Sequence, residues 1–104
     1  MKSIKVMPDY GCFPLWEHGE NAVGNIDPAS LPLPTSLVSR LNEWAAEYDK
    51  TLDQNYPPNS GFLNREEEVK FVINGYNLAK ELKEMLAGVQ VIYYDIDNWR
   101  ARII

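Results

Sequence analysis

Residues Asn64 to Gly88 constrain the fold of this chain more than any other stretch. Asn64 stands three positions before Glu67, the spacing of a capping box, and Glu66 to Glu68 put negative charge on the first turn of the helix that follows. Val69, Val72, Ile73, Tyr76, Ala79, Leu82 and Leu86 recur at helical intervals and predict one broad apolar face. Gly88 sits where a left-handed residue ends a helix. Gly75 inside the pattern costs about 1 kcal/mol relative to alanine, which points to a close crossing with another helix or a sheet.

The other segments arrange themselves around that helix. Ser3 to Met7 reads as a strand, with Ile4 and Val6 on one face and Pro8 as its stop. Thr35 or Ser36 opens an earlier helix with a stripe of Leu37, Leu41, Trp44, Ala45, Tyr48 and Leu52; Glu43 and Glu47 lie on its opposite side. Tyr56-Pro57-Pro58-Asn59-Ser60-Gly61 breaks the chain between the two helices. Val89 to Tyr94 is β-branched and aromatic on both faces, as a central strand covered on both sides would be. Asp95 to Asn98 is a turn, and Trp99 to Ile104 returns as a final strand. Cys12 to Trp16 reads as a short extended piece that Pro14 confines to an edge or a loop. From Glu17 to Pro34 the glycines and prolines predict an irregular loop, pinned by Val23, Ile26, Leu31 and Leu33. The expectation is one small α/β domain over residues 1–104, a short, mainly parallel or mixed sheet with two principal helices packed on it. Ser3–Met7 and Val89–Tyr94 would be its parallel neighbours.

Charge narrows the function. Between Lys5 and Arg40 there is no Lys or Arg, yet Asp9, Glu17, Glu20 and Asp27 fall there, among Tyr10, Phe13 and Trp16. Met1 to Asn64 holds eight acidic residues against four basic ones, whereas Arg65 to Ile104 holds seven against six, so the net charge of −5 sits mostly in the N-terminal part. Such a balance lacks the clustered Lys and Arg that phosphates or an anionic membrane require. It suits a basic protein partner. Asp9, Glu17, Glu20 and Asp27 would pair with the partner's Lys and Arg, while Tyr10 or Trp16 fills a pocket. Core packing accounts for Phe13 and Trp16 equally well; Tyr10, beside Gly11, is expected to be exposed. No apolar run approaches the roughly 20 residues of a membrane span, and the N-terminus lacks the apolar stretch of a signal peptide. Cys12 is the single cysteine, so no internal disulfide forms and a reducing cytoplasm is the expected location.

Candidate chemistry is sparse. Asp9 and Asp95 each follow an expected strand, and parallel strands would bring both to one sheet edge, where Asp97 would complete a set of oxygen ligands for Mg²⁺. The competing role for strand-end aspartates is turn formation. Cys12 and His18 would make a nucleophile and base if they met, but spacing supplies neither an orienting third residue nor an oxyanion hole. The expectation is therefore no catalytic residue, no metal and no cofactor. Two alternatives stay open: a small enzyme or ligand-binding domain at the Asp9/Asp95 edge, and a homo-oligomeric adaptor. The binding-protein reading expects a monomer or weak homodimer.

Several segments together carry a resemblance. They are the run Met7 to Trp16, then Gly24-Asn25-Ile26-Asp27-Pro28 with Leu31-Pro32-Leu33, then Leu41, Trp44-Ala45, Tyr48-Asp49, Thr51-Leu52 and Ser60-Gly61-Phe62. The pattern covers most of the chain and resembles small bacterial cytosolic proteins that include immunity proteins of polymorphic or contact-dependent toxin systems. The resemblance implies an inhibitor that binds and neutralises a cognate toxin domain, such as a nuclease, by occluding its basic active-site surface. It implies no catalytic residue.

Overall fold

Local chemistry starts each element of the computed structural model, which describes residues 3–19, 24–56 and 60–104. β1 (Ser3–Val6) alternates half-buried and buried residues and stops ahead of Pro8. β2 (Leu15–Glu17) and β3 (Asn25–Ile26) follow, then a single 3-10 turn at Pro28–Ser30 and α1 (Thr35–Asp49). α2 (Arg65–Met85) begins at Asn64, whose side chain accepts from the Glu67 N–H at 2.9 Å. Gly88 takes the expected left-handed conformation, with φ of 82°. β4 (Gln90–Asp95) and β5 (Arg100–Ile103) complete the chain.

The strand order is β3-β2-β1-β4-β5, with β1 and β4 parallel and every other pair antiparallel. The fold is thus the small mixed α/β arrangement that the sequence pattern predicts. Ile4, Val6, Leu15, Val91 and Tyr93 from the sheet form one core with Leu37, Leu41 and Trp44 of α1 and Phe71, Leu78, Ala79 and Leu82 of α2. Gly75 lies at the helix crossing, where a Cβ would stand 2.3 Å from Trp44 Cζ2 and 2.6 Å from the Tyr93 hydroxyl.

Four expectations change. β2 is not an edge: it lies between β1 and β3, and Pro14 just before it serves as an acceptor, taking the Met7 N–H at 3.0 Å. The stretch after Glu17 contains β3 and the 3-10 turn; Val23 and Pro57 to Asn59, singled out above, lie outside the described residues. β4 is covered by helices on one face only. On its other face Ile92 is buried between Lys5 of β1 and Ile103 of β5, its neighbours in register. The core face of α2 is rotated in part: Ala79, Leu82 and Leu86 of the expected face are buried and Val72 packs against the core, as expected. Phe71, Gly75, Leu78, Ala79 and Leu82 point inward, while Val69, Ile73 and Tyr76 are exposed. Both sets have helical spacing, and the notch at Gly75 decides between them because Trp44 and Tyr93 close onto it.

Candidate partner-binding surface

The acidic N-terminal loop is held by side chains from three other places in the chain. Gly11, with φ of 70°, turns the loop, and its N–H donates to Asp49 Oδ1 at the end of α1 at 3.0 Å. The Tyr10 ring stacks on Tyr48 with centroids 4.6 Å apart. The Thr51 hydroxyl donates to the Tyr48 carbonyl at 2.6 Å, so its oxygen is left to accept the Tyr10 hydroxyl at 3.0 Å. Tyr10 is therefore half-buried, contrary to the expected exposure, and fastens the loop to α1. Burial, with Tyr10 alongside, pushes the Tyr48 hydroxyl above its ordinary pKa. Asn25 forms the third tie: Phe13 N–H donates to its Oδ1 at 2.8 Å, and its Nδ2 donates to the Phe13 and Leu15 carbonyls at 2.7 and 2.9 Å.

These ties leave Phe13 42% exposed beside a shallow cleft of about 280 Å³ bordered by Cys12, Ala46 and Asp49. Asp9 is exposed, with Oδ1 accepting from the Tyr10 N–H at 2.8 Å. Asp27 is half-buried and caps the 3-10 turn, accepting from Ala29 N–H at 2.9 Å. Strand register puts Asp9, Tyr10 and Asp27 near the C-terminal end of β1. Glu17 is exposed but pairs with Ile4, at the opposite end of that strand. Trp16 lies on the helix-free sheet face opposite Lys5, its Nε1 donating to the Met7 carbonyl at 3.0 Å. Glu20 lies outside the described residues.

A second acidic area joins the first through α1. Glu43 and Glu47 line a groove of about 230 Å³ between the helices, with Asn74 and Asn77 facing them from α2. The sequence marks these glutamates as solvated but gives no sign of the groove, because only the helix crossing creates it. Arg40 closes one end through a two-pronged pair with Glu81, at 2.5 and 2.9 Å.

The other candidate chemistry disperses. Asp95 does reach the same sheet end as Asp9, since β1 and β4 are parallel. Asp95 is only 4% exposed, however, and both its oxygens serve the turn. Oδ1 accepts from Asp97 and Asn98 N–H at 2.8 and 3.3 Å, and Oδ2 accepts from Asn98 Nδ2 at 3.0 Å. Asp97 is held by Arg65 at 2.6 and 3.0 Å. Among the described residues no group of three or more His, Cys, Asp or Glu side chains gathers to hold a metal. Cys12 and His18 sit beyond opposite ends of β1, with His18 N–H on the Ser3 carbonyl.

Hydrogen bonds from Arg40 and Arg65 hold the Glu81 and Asp97 carboxyls below the usual range. A carboxyl with a lowered folded pKa stabilises the fold above its unfolded pKa of about 4. That contribution fades as pH falls through the lowered folded value. The expected result is a thermal midpoint that drops between pH 5 and pH 3, and a smaller drop in Glu81→Gln. Identical acid profiles would remove the Arg40–Glu81 pair as a contributor. Both side chains are exposed, so the effect at neutral pH is small.

Fold and surface together define a small acidic α/β protein that presents the Asp9 carboxylate and the half-exposed Phe13 ring on a clamped loop. No described helix is long and apolar enough to cross a membrane. The chain belongs to the Serratia CdiI immunity protein-like family, whose model matches residues 2–96. Among curated proteins, none matches the chain. Membership places the chain among immunity proteins, in agreement with the sequence resemblance, and implies a cognate toxin protein as its partner.

Proposed function

We propose that this protein neutralises a basic toxin domain, a nuclease, by occluding its phosphate-binding surface in the cytoplasm, with no catalysis or cofactor of its own. The observation that carries the reading is the absence of any Lys or Arg between Lys5 and Arg40, in a stretch whose loop is fastened by Asp49, Tyr48 and Asn25. A toxin that grips nucleic acid exposes Lys and Arg. An acidic inhibitor then gains a steered encounter and specificity, and a loop that is already ordered loses little entropy on binding. Asp9, Glu17 and Glu20 supply charge. Asp27 supports the loop through its cap, and Tyr10 supports it through its stack. Phe13, more exposed than either Tyr10 or Trp16, is the better aromatic anchor. The protein acts as a monomer or weak homodimer in this reading.

Calorimetric titration against the cognate toxin domain tests the proposal. Changing Asp9, Glu17 and Glu20 together to Lys is expected to weaken binding by about 100-fold, mainly through the association rate, with the thermal midpoint nearly unchanged. Asp27→Lys is kept out of that set because losing its cap costs about 1 kcal/mol of stability. Unchanged affinity in the triple variant would refute the acidic loop as the interface.

A further inference from the structure

β5 ends the sheet, and among the described residues no strand lies beyond it. Tyr93 pairs with Arg102 and Asp95 with Arg100, and the Ile104 N–H donates to the Val91 carbonyl at 2.9 Å. Hydrogen-bonded pairs alternate along an antiparallel ladder. Arg100, Arg102 and Ile104 therefore direct their backbone groups to β4. Ala101 and Ile103 direct theirs outward along the free edge, and all four residues of β5 are exposed.

A second feature borders this edge. Val69, Ile73 and Tyr76 form an apolar stripe on α2 that no described element covers, with Ile73 53% exposed. Ile73 and Tyr76 line a cleft of about 220 Å³ whose other wall includes Tyr93, Asp95 and Arg102. The corner thus has an apolar wall on the helix and an outward row of backbone donors and acceptors on the strand. Its available charge is positive, against the net −5 of the chain. Arg100 and Arg102 share the helix-side face with their register partners Asp95 and Tyr93, and Lys80 stands 5.6 Å over the Tyr76 ring. The nearby carboxylate of Asp95 is taken by the turn and lies 3.6 Å from Arg102.

We propose that this corner is a second docking site, which takes an extended, carboxylate-bearing segment of a partner protein as a sixth strand along β5. Strand addition supplies main-chain hydrogen bonds to Ala101 and Ile103, and alternate side chains of the segment face the sheet's helix side. An apolar side chain there rests on Ile73 and Tyr76, and a carboxylate meets Arg100. Charges at a sheet edge discourage indiscriminate pairing. These arginines therefore select an acidic segment and repel a basic one. The site is separate from the acidic loop, and its test requires no toxin.

The probe is a synthetic peptide of about nine residues, long enough to run past β5, with threonine at alternate positions and valine and glutamate taking turns between them. It is titrated to about 5 mM into the ¹⁵N-labelled full chain, and amide shifts are read. Saturable shifts at Ala101, Ile103 and residues 69–76 are expected. Ala101→Pro, which removes an outward N–H without removing a ladder bond, and Ile73→Glu should each weaken binding about tenfold. A peptide with lysine in place of glutamate should bind about tenfold more weakly. No saturable shift overturns the proposal, as does equal binding of the lysine peptide or unchanged affinity in both variants. Shifts at the same amides that grow with protein concentration alone would assign the edge to a second copy of this chain, and overturn the partner-segment assignment.

Discussion

Gly75→Ala is expected to destabilise the protein by about 2–3 kcal/mol, lowering the thermal midpoint by on the order of 10–15 °C. The new methyl would stand 2.3 and 2.8 Å from Trp44 ring atoms and 2.6 Å from the Tyr93 hydroxyl. Neither ring is free to retreat. Trp44 Nε1 donates to the Phe71 carbonyl at 2.9 Å and the Tyr93 hydroxyl donates to the Val72 carbonyl at 2.8 Å. Burial also pushes the Tyr93 hydroxyl far above its ordinary pKa, so it stays a protonated donor across the accessible range. Moving either ring breaks a buried hydrogen bond worth about 1 kcal/mol. Alanine's better helix propensity returns only about 1 kcal/mol. Urea unfolding checks the figure, and an unchanged midpoint would show that the helices can part without loss.

Phe71→Ala is expected to cost about 4 kcal/mol, while Ile73→Ala, two residues along the same helix, costs less than about 0.5 kcal/mol. Phe71 is 2% exposed and stacks on Trp44 at 4.6 Å, with Phe62 at 5.0 Å and Tyr48 at 5.8 Å. Removing its ring leaves a cavity bounded by rigid rings that collapse poorly, and 4 kcal/mol is a large part of the roughly 5–15 kcal/mol that holds a domain together. Ile73 already stands in solvent. Denaturant midpoints of the two variants measured side by side test which face of α2 is the core. The reverse order would restore the Val69, Val72, Ile73, Tyr76 face.

That contrast shows where sequence reading stops. α2 carries apolar residues on more than one side: Ala79, Leu82 and Leu86 of the expected face are buried, but periodicity alone does not show that Phe71, Gly75 and Leu78 replace Val69, Ile73 and Tyr76 beside them. What separates them is the fit of Trp44 and Tyr93 into a notch, and those residues lie far from Gly75 in the chain. The same reason hides the role of Tyr10. Beside a glycine in a polar loop it reads as exposed, yet Tyr48 and Thr51 supply a stacking face and a hydrogen-bond acceptor from another element. Asp95 was readable either as a ligand or as a turn former, and its full set of turn donors makes it the latter. β2 lies inside the sheet despite Pro14 because the proline precedes the ladder and contributes only its carbonyl.

Short-range chemistry was legible throughout. The Asn64 cap, the left-handed Gly88, the stop at Pro8, the start of α1 at Thr35 or Ser36 and the parallel neighbours β1 and β4 all follow from propensity, breakers and element order, with Thr35 the start observed. The concentration of acid between Lys5 and Arg40 is a property of the chain itself, and so is the family pattern running through residues 2–96. Tertiary structure decided which face of α2 is buried, that Asp9 and Glu17 stand at opposite ends of β1, that Glu43 and Glu47 share a groove, and that an apolar helix flank borders an open strand edge. Those outcomes depend on pairing and contacts between separate elements, from the β1–β2 register to the meeting of Gly75 with Trp44 and Tyr93, and local spacing carries no information about which side chain of another element arrives to fill a given notch.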